Sequence, residues 1–268
     1  MTPNRRDVLR LGLGALAAAS VPQHLFAAEA KKIPLFLQMY SVRKTFQAEP
    51  ERVMAAVAAM GYDGVEYVQP RDVRKLRKMQ DDNGLKCNGS HLSVGDIIDP
   101  EKFKQTIENH HILGGKFMIC SWMDMKSKEV CIENAKKFSE AAELAAKEGL
   151  FVGYHAHGHD FQKMDGDLTA WEVFADNSTP AVLLQMDTSN CTDDPYRLVA
   201  KYPGRGKTIH LKETGNKIMG DGTIDWKRFW NICETVGGVQ TYTIEYESSD
   251  DPEGGCAKCA KYYRAHHG

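Results

Sequence analysis

A chain of 268 residues, 42% hydrophobic and 26% charged, is long enough to bury one large core, and its composition excludes disordered and collagen-like classes. Its formal net charge of -2 supplies no basic field to gather the phosphates of nucleic acid, which argues against DNA or RNA as a partner.

The N-terminus differs from the rest. Asn4-Arg5-Arg6-Asp7-Val8-Leu9-Arg10 leads into a Gly/Ala-rich apolar run from Leu11 to Val21 that contains no acidic residue. Arg5 and Arg6 form a twin-arginine pair, and Ala28-Glu29-Ala30 offers the small-x-small pattern of a cleavage site. The run is shorter than the roughly 20 residues a bilayer-spanning helix needs. Residues 1–30 are therefore expected to be a twin-arginine signal peptide, removed near Lys31, which makes the mature protein periplasmic or otherwise exported and free of a membrane anchor. An ordinary amphipathic N-terminal helix is the alternative.

From Ile33 onward short apolar runs alternate with longer amphipathic ones, with no linker to mark a second domain, so 31–268 reads as one domain. The strands are expected at Pro34 to Gln38, Gly64 to Tyr67, Lys86 to His91, Lys116 to Cys120, Leu150 to His155, Val182 to Asp187, Lys207 to Leu211 and Thr241 to Glu245. Helical spacing of apolar residues covers Glu49 to Met60, Val73 to Asn83, Pro100 to Ile112, Lys128 to Glu148 and Trp226 to Val236. Glycines at 61, 84, 114 and 149 stand where helix C-caps belong. Strands separated by helices of this length imply parallel pairing through crossovers, and eight such units give an α/β fold of the (β/α)8 TIM-barrel type. A doubly wound open sheet is the runner-up, but the segment after Gln38 has no glycine before Gly61 and so no nucleotide loop.

Seven cysteines follow the signal region, an odd number that does not suit a disulfide framework. Cys256-Ala257-Lys258-Cys259 is a lone pair with no second pair to complete a zinc site, and reads as two partly buried thiols or a local disulfide.

A barrel keeps its chemistry at the C-terminal ends of its strands. There the fifth strand ends in Tyr154-His155-Ala156-His157-Gly158-His159-Asp160 and the sixth in Gln185-Met186-Asp187. The seventh ends in His210-Leu211-Lys212-Glu213 and the eighth in Glu245-Tyr246-Glu247. One such residue alone would be a structural histidine or a solvated carboxylate. Four successive strands ending this way point to a divalent metal among Zn, Mn, Fe, Co and Ni, held by imidazole and carboxylate. His155 and His157 are two apart and share a side of the strand, so which of them is the ligand stays open. His110, His111, His266 and His267 have no matching partners and read as surface residues. Trp226, Phe229 and Trp230 have the spacing of a helix packed on the barrel. Arg43, Lys212 and Arg205 are isolated basic residues, expected to be solvated rather than to bind phosphate.

Several segments then carry a likeness to a known group. Leu37-Gln38-Met39-Tyr40-Ser41-Val42-Arg43, Gly61-Tyr62-Asp63-Gly64-Val65-Glu66, Ser90-His91-Leu92-Ser93 and Gly153-Tyr154-His155-Ala156-His157 cover the first half. Met186-Asp187-Thr188-Ser189-Asn190, His210-Leu211-Lys212-Glu213, Gly220-Asp221-Gly222-Thr223-Ile224-Asp225 and Glu245 cover the second. Together they resemble the sugar phosphate isomerase/epimerase group with xylose isomerase-like TIM barrels. The resemblance implies one metal held from the last four strands, commonly by Glu, Asp, His and Glu. It assigns Asp187, His210 and Glu245 to the last three places and His155 to the first, where a glutamate is usual. Neutral imidazole differs from carboxylate in charge and basicity, which departs from a two-glutamate epimerisation.

The expected activity is proton abstraction beside a carbonyl of a non-phosphorylated sugar or keto-sugar, leading to isomerisation or epimerisation. Elimination from a glycoside is the alternative reaction, and a non-catalytic sugar-binding protein is the alternative class. Glu245, His157, Glu66 and Lys212 are the catalytic candidates, and His91, Gln185, Tyr40 and Lys212 the substrate contacts. A metal-cluster endonuclease on the same barrel is disfavoured by the charge balance. Homo-oligomerisation is left open.

Overall fold

In a computed structural model that describes residues 33–248 and 250–267, eight parallel strands alternate with helices. The strands are β1 (Leu35–Gln38), β2 (Gly64–Val68), β3 (Lys86–Ser93) and β4 (Phe117–Trp122), followed by β5 (Phe151–His155), β6 (Leu183–Gln185), β7 (Thr208–Leu211) and β8 (Thr241–Ile244). Each pairs with its chain neighbour from β1 to β6, β7 pairs with β8, and β8 returns to β1. The remaining seam, between β6 and β7, is the shortest. It is held by one parallel bridge, Asp187 with His210, and by His210 N donating to Met186 O at 2.9 Å. The ring is a (β/α)8 barrel, as the alternation of periods implied. The signal-peptide expectation for 1–30 falls outside the described residues.

All eight expected strands are present. The helices α1 (Arg43–Ala48), α2 (Pro50–Ala59), α3 (Val73–Asp82), α4 (Val94–Ile98), α5 (Pro100–Leu113) and α6 (Lys128–Lys147) are followed by α7 (Ala170–Asn177), α8 (Pro195–Lys201), α9 (Trp226–Ile232) and α10 (Pro252–His266). The glycines at 61, 84, 114 and 149 take positive φ just past α2, α3, α5 and α6, a backbone state that costs other residues a Cβ clash. The helix expected to run to Val236 ends at Ile232 and continues as a π-helical turn, Cys233–Gly237. Helices α1, α4, α7, α8 and α10 are not among the helices expected from the sequence. Caps define some of them instead: Thr169 and Glu172 form a capping box at α7, and Asp194 caps α8.

Side chains two apart on a strand share a face, and this divides the barrel interior into layers. The lower layer is apolar, with Phe117, Ile119 and Leu183 packed together and against Phe151. One step up, Gln38, Glu66, Asn88, Gln185, Thr208 and Thr243 are buried and hydrogen-bonded to one another. Above them come His91, His155, Asp187, His210 and Glu245. The large core, between the strands and the helices, contains Trp226, Phe229 and Trp230 as expected.

Three surface expectations fail. His110 is buried on α5, with Nδ1 2.8 Å from Thr106 O, because its helix face packs on the strands. His267 is half-buried, its ring stacked on Tyr263 at 4.4 Å. Arg205 is neither solvated nor a phosphate ligand: it is buried, giving hydrogen bonds to Val182 O, Ala175 O and Ser178 Oγ. All seven cysteines are buried free thiols.

Candidate metal centre and active cleft

The upper layer opens into a cleft of about 410 Å³ within the ring, a size that suits a small molecule. Tyr40, His91, Trp122, His155, His157, Asn190, Lys212, Glu245 and Glu247 are among the residues that line it. At its floor, one ligand atom from each of His155, Asp187, His210 and Glu245 lies within 4.8 Å of the others, and all four residues are buried. His155 therefore belongs to the cluster. His157 stands beside it, ring centroids 4.9 Å apart, on the cleft wall.

Each ligand candidate is oriented from below or behind. Asp187 follows β6 in a tight turn in which its Oδ1 accepts from Ser189 N at 2.9 Å and Asn190 N at 2.7 Å, while its buried Oδ2 has no hydrogen-bond partner. His155 Nδ1 lies 2.9 Å from Gln185 Oε1, and its Nε2 is 3.9 Å from Asp187 Oδ2. His210 is held at both ends, Nε2 2.7 Å from Glu66 Oε1 and Nδ1 2.8 Å from Glu245 Oε2. A second trio, His91 with His155 and His210, is also close enough to hold an ion. His91 Nε2, however, already sits 2.8 Å from Gln185 Oε1 and 3.0 Å from Glu66 Oε1, which favours the set containing Asp187.

Charge follows from these contacts. Burial alone would drive His210 towards neutrality, but Glu66 and Glu245 outweigh it and push the imidazole up to about 10. Burial would raise Glu66 and Glu245, yet His210 holds both carboxylates below the usual range. Burial pushes Asp187 up to about 6, with Glu245 adding to the rise and Lys212 and His210 opposing it. His155 has no carboxylate within hydrogen-bonding distance, so burial and the neighbouring imidazoles keep it neutral, and burial lowers His157 to about 4. Lys212 is buried and would lose its proton readily, but Asp187, Glu245 and Glu247 hold it charged. It is ion-paired with Glu247 and lies 3.8 Å from Glu245 Oε1.

The other expected site residues fall into two groups. Tyr40 is 39% exposed at the cleft mouth with the Arg43 guanidinium over its ring, so Arg43 packs on an aromatic face. Glu66 and Gln185 do not reach the cleft: both are fully buried one layer below it, with every oxygen engaged from within the protein. Asn190, Glu247 and Trp122 were missed. Glu247 had a usable signal, the two-residue spacing from Glu245, and Asn190 the Asp-x-x-Asn turn. Trp122, 56% exposed, had none beyond its place at the end of β4.

The model of the xylose isomerase-like TIM barrel family matches residues 54–266. An inosose dehydratase from Erwinia tasmaniensis is 24% identical, over 81% of this chain and 90% of the relative. Among solved structures, a sugar phosphate isomerase/epimerase from Parabacteroides distasonis superposes with a TM-score of 0.79 at 22% identity, covering 90% of this chain and 96% of that one. A D-allulose 3-epimerase from Methylomonas sp. does so with 0.68 at 15% identity, covering 87% and 97%.

Proposed function

The chain belongs to the xylose isomerase-like TIM barrel family, and on that premise we propose that it is a metal-dependent enzyme that removes a proton beside a carbonyl of a non-phosphorylated sugar or keto-sugar. The observation that carries this reading is the unpartnered, buried Asp187 Oδ2 facing His155 Nε2, His210 Nδ1 and Glu245. A buried carboxylate oxygen without a hydrogen bond is costly, and a cation removes that cost. Two imidazoles and two carboxylates are a fitting donor set for Zn, Mn, Fe, Co or Ni. His155, Asp187, His210 and Glu245 would hold the ion.

Bound there, the ion supplies Lewis acidity to a substrate carbonyl, which acidifies the neighbouring C–H. The chain's own residues do the rest. Glu245 and His157 follow β8 and β5, three strands apart in the ring, and both are unprotonated at neutral pH, so each can accept a proton at the cleft. Lys212 places a fixed positive charge beside Glu245, where negative charge builds on the substrate. Glu66 is set too deep to act as a base.

Return of the proton to another face or carbon gives an epimer or isomer. A specific feature favours elimination as the second reading: both carboxylates lining the cleft, Glu245 and Glu247, come from one segment, and the facing wall offers imidazole. The similarity to a dehydratase points the same way.

The cleft also bears on substrate charge. Lys212 is the only Lys or Arg lining it among the described residues, and Glu247 already pairs with it, which favours an uncharged sugar over a phosphorylated one. Export through the twin-arginine sequence belongs to the same proposal, since sugar phosphates are metabolites of the cytosol. Incubating the manganese- or zinc-loaded protein with keto-sugars and simple glycosides in D₂O tests the reading. Solvent deuterium in recovered substrate or product supports it, and product structure separates isomer from eliminated enone. Ligand binding without metal and without exchange would leave a sugar-binding protein.

A further inference from the structure

Glu66 anchors a network that admits one arrangement of donors. Its Oε1 accepts from Gln38 Nε2 at 2.8 Å, and its Oε2 accepts from Asn88 Nδ2 and Gln185 Nε2, both at 3.2 Å. A carboxylate accepts and cannot donate, so Gln185 must turn its amide nitrogen down to Glu66 and its carbonyl oxygen up. That oxygen meets His91 Nε2 at 2.8 Å and His155 Nδ1 at 2.9 Å. Each of these two nitrogens must therefore carry a hydrogen. Glu66 Oε1 makes the same demand of His210 Nε2 directly, at 2.7 Å.

We propose that Glu66 is a positioning residue which, directly and through Gln185, fixes the tautomers of three histidines. His155 is held as the Nδ1–H form, which leaves its Nε2 to face Asp187 Oδ2 as a lone pair. His210 keeps its hydrogen on Nε2 against Glu66, so Nδ1, which donates to Glu245 Oε2, is the nitrogen whose hydrogen a bound ion would replace. His91 is held as the Nε2–H form. Its Nδ1 is then an acceptor only, so the substrate group that meets His91 in the cleft is a hydroxyl and not a carbonyl oxygen. The ligand role of His155 and His210 rests on the metal reading above; the tautomers of His155 and His91 do not.

Long-range ¹H–¹⁵N spectra of ¹⁵N-histidine-labelled protein read the tautomers without activity. In the metal-free wild type, His155 should carry its hydrogen on Nδ1 and His91 on Nε2; after zinc loading, His210 should keep its hydrogen on Nε2. Glu66→Gln, near-isosteric but free to present its amide either way round, should give mixed signals for His155 and His91. It should also raise the zinc Kd 10- to 100-fold in competition with a chelating dye. A wild type with the His155 hydrogen on Nε2 would overturn the proposal, as would a Glu66→Gln protein with unchanged histidine signals and zinc affinity. The wild-type spectra decide the matter even if the variant does not fold. Expected tautomers in a protein that takes up no zinc would support this inference while defeating the metal reading.

Discussion

Asp187 Oδ2 lies 3.9 Å from His155 Nε2, too far for a hydrogen bond and within the span that two ligands of one ion keep. His157 has no such relation to Asp187, and lines the cleft instead. His155→Ala should therefore abolish metal uptake, whereas His157→Ala should retain about one equivalent and lose activity, by roughly 10²–10⁴ for a removed general base. Metal analysis beside turnover separates the two. Equal metal loss in both variants would remove the distinction between ligand and base.

Lys212 carries its charge between Glu247 and Glu245. Lys212→Met should leave metal content intact and lower kcat by about 10²–10³, the usual effect of removing one group that stabilises developing charge. Steady-state kinetics on the loaded enzyme measure this, and an unchanged kcat would confine Lys212 to folding.

Glu172 on α7 tests the electrostatics away from the site. Burial alone would raise its pKa, but hydrogen bonds from Arg197, Lys201 and the Thr169 backbone outweigh it and lower the carboxyl from 4.5 to about 2. A depressed carboxyl stabilises the fold fully above its unfolded pKa, and that contribution is lost as pH falls from about 4.5 towards 2. Because Arg197 and Lys201 are partly solvated, Glu172→Gln should cost about 1–2 kcal/mol at pH 7. Denaturant titrations should show the gap between wild type and variant closing below pH 4.5.

Gly89 on β3 pairs with Phe117 on β4. A Cβ added there would lie 2.0 Å from Phe117 O, a backbone atom that moves only with its strand. Gly89→Ala should therefore destabilise the protein by about 3 kcal/mol or more, with strain and lost pairing adding together. A shift in the denaturation midpoint reads this, and wild-type stability would show that the barrel relaxes there at no cost.

The barrel was legible because its signals are local: eight apolar runs, glycines closing helices, polar residues at strand ends. His155, Asp187, His210 and Glu245 were legible as a set for the same reason, each ending or following its own strand. What stayed hidden depends on depth. Glu66 stood near the end of the expected second strand much as Glu245 stood at the end of the eighth, but β2 runs on to Val68 and leaves Glu66 one layer lower, turning an expected base into a support for His210. Gln185 moved from expected substrate contact to that same layer. His110 looked like a surface histidine because it has no matching partner in the sequence, although it shares the face of α5 that buries Phe103, Thr106 and Leu113.

Metal stoichiometry of the purified protein, wild type beside Asp187→Ala and His210→Ala, tests the central claim most directly. About one equivalent of Mn, Zn, Co, Ni or Fe in the wild type, falling below a tenth in both variants, is the predicted result. A wild type that stays metal-free after reconstitution with each ion, or variants that bind as much as the wild type, would contradict it.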